Sequence, residues 1–163
     1  MSNVTGLRVT DKIEDGIWVH YKDPRTKEGA PLFENGEDGK DDPDKPVRQK
    51  FYGFDSKRDK DWVEKNKGTE PPGGMAMDPE TKLIRIDTKY MQSNWSKRRL
   101  ANLLKETEWC PGPDGSPMEM PDSATKREGL MMRFWEDYPF FYAQAYTEVS
   151  ELLNFTAESL DDS

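Results

Sequence analysis

The chain has 163 residues, with 24 basic and 32 acidic side chains and a formal net charge of −8. One cysteine excludes a disulfide framework, and no run reaches the ~18 apolar residues a membrane-spanning helix requires. The acidic balance argues against a nonspecific nucleic-acid binder, which presents a basic surface.

The first residues show no basic region followed by an apolar core, so no signal peptide is expected and a cytoplasmic location is the default. A weak strand is expected over Leu7-Arg8-Val9-Thr10 and a stronger one over Ile17-Trp18-Val19-His20-Tyr21. Alternation there puts Ile17, Val19 and Tyr21 on one face and Trp18 and His20 on the other. Residues 34–79 are rich in charge, glycine and proline and poor in apolar side chains. Such a stretch cannot bury enough surface to offset its own ordering entropy. We therefore expect a long charged excursion from a core made by the two flanks, with Phe51-Tyr52-Gly53-Phe54 as a short edge strand and Trp62-Val63 as a helical turn.

After the breaker Pro71-Pro72-Gly73-Gly74, Leu83-Ile84-Arg85-Ile86 reads as a strand that pairs with 17–21. Asp87 or Thr88 then caps a helix to about Lys105, with Tyr90, Met91, Trp95, Leu100, Leu103 and Leu104 on its apolar face and Lys97, Arg98 and Arg99 toward water. The prolines and glycines of 110–117 oppose helix. A second helix starts near Pro121 to Ser123, with Thr125 and Glu128 placed for a capping box. It buries Leu130, Met131, Phe134 and Trp135. Pro139 suits the first turn of a third helix through Phe155. The expected fold is α+β: a small antiparallel sheet, about three helices, a helical C-terminal half and the long charged insertion. Residues 1–155 form one domain, and 156–163 form an acidic tail that frays.

Catalytic chemistry finds little footing. His20 is the only histidine and lies mid-strand, and Cys110 has no evident feature to activate its thiol. The acidic run Glu34, Glu37, Asp38, Asp41, Asp42, Asp44 lacks the spacing of a helix–loop–helix calcium site. No glycine loop matches a phosphate-binding pattern. We expect no enzyme, no cofactor and no metal. The candidate partner-binding residues are aromatic and basic. Phe140, Phe141 and Tyr142 are consecutive on a helix and cannot all face one stripe, so at least one ring is expected near the surface. Tyr146 lies on the same helix, and Lys97, Arg98 and Arg99 form a basic patch in an acidic chain.

The order of these features resembles the tail assembly chaperones of long-tailed bacteriophages. The residues are Gly16-Ile17-Trp18-Val19-His20-Tyr21, a helical stretch around 88–105, Trp109 and an Asp114-Gly115 turn. Then come the helix start Pro121-Asp122-Ser123, the step Glu136-Asp137-Tyr138-Pro139, and a helix ending Leu152-Leu153-Asn154-Phe155. The resemblance covers 16–21 and 83–155, and the length of 34–79 departs from it. It implies a non-enzymatic protein that binds the tape-measure protein, the tail-tube protein or both, and keeps them soluble. Self-association is compatible with the same reading. A structural virion or adaptor protein, and an acidic inhibitor that imitates nucleic acid, are the alternatives.

Overall fold

A computed structural model describes residues 9–26 and 29–161. Val9 and Thr10 open helix α1 (Val9–Asp15) rather than a strand, while Leu7 and Arg8 lie outside the described residues. Gly16 ends α1 with φ +99°, and its amide donates to the Lys12 carbonyl at 2.8 Å. A Cβ there would meet the Phe51 carbonyl oxygen at 2.9 Å, so both the turn and the close approach require glycine.

Strand β1 (Ile17–His20) follows as expected, but its partner does not. The short strands β2 (Phe33–Asn35) and β3 (Asp41–Pro46) form an antiparallel hairpin. The next strand, β4 (Arg48–Phe51), is the one that pairs antiparallel with β1, from Ile17↔Phe51 to His20↔Arg48. On its other side β4 pairs antiparallel with β7 (Leu104–Glu108), so the order is β1-β4-β7. The strand expected opposite β1 is β6 (Ile84–Ile86), and it instead closes a separate hairpin with β5 (Met75–Met77). The local turn explains this choice. Asp78 accepts from the amides of Glu80 and Thr81, and its own amide donates to the Leu83 carbonyl at 2.8 Å, so β5 and β6 meet at small loop-closure cost.

Residues 34–79 are therefore not an excursion from a core made elsewhere. They supply the central strand, and Phe51 and Phe54 are fully buried. Helix α2 (Lys57–Asn66) is N-capped by Ser56, which accepts from the Asp59 amide, and a 3-10 turn (Lys67–Thr69) extends it. Only the β2–β3 hairpin fits the expectation of a charged projection, since its acidic residues are mostly exposed.

The helix expected over 88–105 is two helices and a strand. Asp87 caps α3 (Thr88–Gln92) by accepting from the Tyr90 amide. Ser93 takes extended backbone angles and caps α4 (Asn94–Asn102). The chain then enters β7, whose Leu-Lys-Glu-Thr-Glu sequence carries helix-forming residues that pairing with β4 overrides. Helix α5 (Ala124–Asp137) is capped by Ser123, which accepts from the Lys126 amide, so Thr125 is inside the helix rather than its cap. Helix α6 (Pro139–Asp161) begins at Pro139 as expected and continues through the residues expected to fray.

The fold is α+β with a helical C-terminal half. Among the described residues it has six α-helices, where about three were expected, and three small antiparallel sheets. One face of the main sheet buries Val19, Gln49, Phe51 and Leu104. Against it lie Leu100 and Leu103 from the α4 region, Met131, Phe134 and Trp135 of α5, and Phe141, Ala145, Tyr146 and Val149 of α6. One polar network lies inside this core. The Tyr21 hydroxyl donates to Gln49 Oε1 at 2.6 Å, and Gln49 Nε2 reaches Thr107 Oγ1 at 3.2 Å. Burial, chiefly, drives the Tyr21 pKa far above the ordinary phenol value.

Candidate functional site

Most of the aromatic run on α6 is core. Phe141 lies 4.5 Å from the Tyr21 ring and 5.2 Å from the Phe134 ring, centroid to centroid. Tyr142 meets Trp135 at 5.1 Å and donates its hydroxyl proton to the Met91 carbonyl. Tyr146 sits 5.1 Å from Phe54. Phe141, Tyr142 and Tyr146 are all buried, and only Phe140 is half-exposed, beside Tyr138 and Phe141. At least one of the three consecutive rings was expected near the surface, and Phe140 is that ring, while the others are buried. The first turns of α6 are clasped from several sides, by β1 and Tyr21, by α5, and by the end of α3, so neighbouring rings find cover in different directions.

The basic run also separates. Arg99 is buried and forms a bidentate pair with Asp59 of α2, at 2.8 Å from Nε and 2.6 Å from Nη2. Its guanidinium also lies 4.6 Å from the Phe54 centroid and 5.8 Å from that of Trp95. Burial opposes the charge on Arg99, but the hydrogen bonds and charge of Asp59 outweigh it and raise the pKa. Lys97 lies 5.6 Å over Tyr142. Arg98 pairs with Glu128 of α5 at 2.8 Å and lies 5.8 Å over Trp62. These three residues pin α4 to α2, α5 and α6, and do not form one free patch.

The groups considered for chemistry are quiet. His20 Nε2 lies 3.0 Å from the Leu32 carbonyl oxygen, and its ring meets the edge of Phe33 at 5.3 Å. Cys110 is fully buried, and burial first of all pushes its thiol up to about 12. Among the described residues, no cluster of His, Cys, Asp and Glu could hold a metal ion.

Two surfaces that the sequence did not single out are better formed. The first is the outward face of the main sheet. Strand alternation that buries Val19, Gln49 and Phe51 turns Trp18, His20, Arg48, Lys50, Glu106 and Glu108 outward. Arg48 pairs with Glu108 at 2.7 Å and lies 4.1 Å over the Trp18 ring, while Lys50 lies 5.9 Å from the same ring. Lys45 lies 4.9 Å over Trp109, which packs against the core. Both tryptophans are half-exposed. Alternation in β4 could have revealed this face, but the charged types of Arg-Gln-Lys-Phe mask a strand whose cations lie along indole rings.

The second is a groove of about 640 Å³ between residues 22–26 and Gly29 on one side and α6 on the other, lined by Lys22, Asp23, Thr147, Glu148 and Glu151 among others. Gln144 holds its wall by accepting from the Lys22 amide at 2.7 Å and donating to the Lys22 carbonyl at 2.9 Å. Glu148 is half-buried there, and its Oε2 has no hydrogen-bond partner among the described residues. Burial, chiefly, raises its carboxyl pKa, with Lys22 opposing.

Among the described residues, no helix is long and apolar enough to cross a membrane. Comparison with known proteins finds no matching family model, no matching curated protein and no matching solved structure.

Proposed function

We propose that the protein is a non-enzymatic phage morphogenesis protein, a tail assembly chaperone that binds the tape-measure protein, the tail-tube protein or both in the host cytoplasm. The outward face of the main sheet carries this reading. It offers the large indole surface of Trp18 within a frame of Arg48, Lys50, Glu106 and Glu108. Such a face suits an amphipathic client helix, with an apolar centre and a charged rim that sets register. The acidic surplus of the β2–β3 hairpin keeps the complex soluble. Several residues of the resemblance also occupy structural joints of the fold: Gly16 at the α1–β1 turn, Asp114-Gly115 in a loop turn, Ser123 at the α5 cap and Pro139 at the α6 start.

The test is co-expression with the tape-measure and tail-tube proteins of the same genome. Wild-type protein should co-purify with a client and raise its soluble fraction. Trp18→Ala should stay folded and lose most of that capture. No binding to any tail component, or full capture by a folded Trp18→Ala variant, would overturn the reading.

A structural virion or adaptor role is favoured by one observation, the exposed acidic hairpin that projects from the fold like an arm. Stoichiometric copies in purified particles would select that role over the chaperone.

A further inference from the structure

We propose that the groove between residues 22–26, with Gly29, and α6 binds a guanidinium group through the carboxylates of Glu148 and Glu151. The site is separate from the outward sheet face and does not depend on the chaperone reading.

The groove is formed by the chain alone. One wall is a turn closed by its own hydrogen bonds. The Asp23 amide donates to the Ala30 carbonyl at 2.8 Å, and Thr26 Oγ1 accepts from the Ala30 amide at 2.8 Å. The other wall is one stripe of α6, where Gln144, Thr147, Glu148 and Glu151 recur at helical spacing and all line the same space. Gln144 joins the walls through both backbone groups of Lys22, at 2.7 and 2.9 Å. The space, about 640 Å³, is of the size that takes a small organic group.

The charges inside it do not balance. Asp23 is compensated within its own wall by Arg25, whose Nε and Nη2 reach the two carboxylate oxygens at 2.9 Å. Among the described residues, Glu148 and Glu151 have no basic nitrogen within 4.0 Å. Lys22 is the one cation that lines the groove, and its stem lies against Gly29, where an added Cβ would meet Lys22 Cδ at 3.4 Å. Two carboxylates facing one ammonium leave a surplus of one negative charge. Glu148 Oε2 is also buried and accepts no hydrogen bond from the described residues. Burial, chiefly, raises the Glu148 pKa, so its carboxylate is held at a cost that a bound cation would offset.

The unmet groups select the ligand. They are acceptors with a negative surplus, so the ligand is a cation. Among the described residues no cluster of His, Cys, Asp and Glu could hold a metal ion, so that cation binds by donating hydrogen bonds. A buried carboxylate oxygen favours guanidinium over ammonium, because guanidinium is the more weakly hydrated and presents a planar fork to a carboxylate. Its remaining N–H groups have acceptors on the same stripe in Glu151 and the Thr147 hydroxyl. A free small guanidine and an arginine side chain of a partner share this chemistry.

The experiment follows the amide NMR signals of the isotope-labelled full chain at pH 7. It is titrated with methylguanidinium, the peptide acetyl-Gly-Arg-Gly-amide or methylammonium, each against sodium chloride at matched ionic strength. The guanidinium probes should shift the Gln144, Thr147 and Glu148 signals with saturation, whereas screening depends only on ionic strength. Methylammonium should bind at least about threefold more weakly. Glu148→Gln keeps the size of the side chain and should weaken guanidinium binding at least about tenfold. If that variant does not fold, Glu151→Gln supplies the readout, with a loss of at least about threefold. Glu136→Gln removes the same charge from an exposed position outside the groove and should bind like wild type. Tighter binding of the peptide assigns a partner's arginine, and tighter binding of methylguanidinium assigns a free guanidine; both uphold the site. The proposal is overturned by the absence of a saturable shift beyond matched chloride, or by methylammonium binding as tightly as the guanidinium probes. Unchanged binding in the folded Glu148→Gln or Glu151→Gln variant, or an equal loss in Glu136→Gln, also overturns it.

Discussion

Replacing Arg99 with methionine tests whether the middle of the chain is built into the core. Arg99 is 8% exposed and its partner Asp59 is 1% exposed, so the bidentate contact of 2.8 and 2.6 Å is shielded from water. Methionine keeps the aliphatic bulk against Phe54 and Trp95 and removes only the charge and donors. Asp59 then retains the Asp55 amide, 2.8 Å from Oδ2, but has no cation to compensate its buried charge. Breaking a buried pair from one side costs about 3–5 kcal/mol. At about 2–4 °C per kcal/mol for a chain of this size, Tm should fall by about 6–20 °C. The assay is urea and thermal unfolding followed by circular dichroism, with Asp59→Asn/Arg99→Met as the second arm. Asparagine still accepts from the Asp55 amide and carries no charge, so the double variant should recover about half of the loss or more, because the cost lies chiefly in the stranded charge. A loss under about 1 kcal/mol for Arg99→Met would refute the reasoning, since exposed pairs fall in that range. So would a double variant no more stable than the single.

Deleting residues 34–79 should abolish cooperative unfolding, because it removes β4, Phe51, Phe54 and Asp59, whereas excising only 36–40 at the hairpin tip should leave the transition nearly unchanged. Native Cys110 should resist a thiol reagent at pH 8 and react fully in urea, as its thiol is buried and pushed up to about 12; rapid stoichiometric labelling of native protein would contradict this. Glu148→Gln should raise Tm at pH 7. Burial holds the folded-state pKa of Glu148 above its ordinary value, so the folded chain binds this proton more tightly than the unfolded one. Its contribution to stability is lost as pH rises through that raised pKa, and the variant's advantage should vanish below the ordinary carboxylate value of about 4.3. An advantage that persists in acid would point to packing rather than charge.

Local signals were legible wherever neighbouring residues sufficed. Alternation through Ile17 to Tyr21 set the strand and its buried face, Asp87 capped a helix through its own side chain, and Pro139 opened another. Gly16 kept its place because no side chain tolerates that turn against Phe51. The mixed class and the helical C-terminal half follow from such signals, since periodicity is a short-range property. Strand partners were not legible. Strand β4 has one large apolar residue, Phe51, and its position between β1 and β7 depends on alignment with chain far away in sequence. Burial of charge was equally hidden. Arg98 and Arg99 look alike in sequence, yet only Arg99 meets a buried carboxylate, because Asp59 arrives from another helix. The aromatic run on α6 shows the converse. Its spacing required at least one ring near the surface but did not fix which, and the convergence of β1, α5 and the end of α3 gave Phe141 and Tyr142 separate places in the core and left Phe140 half-exposed. Composition and periodicity thus determined which segments fold and into what element. Which faces and charges were buried was decided by contacts between segments distant in sequence, since a side chain's cost in water or in the core is set by its neighbours in space.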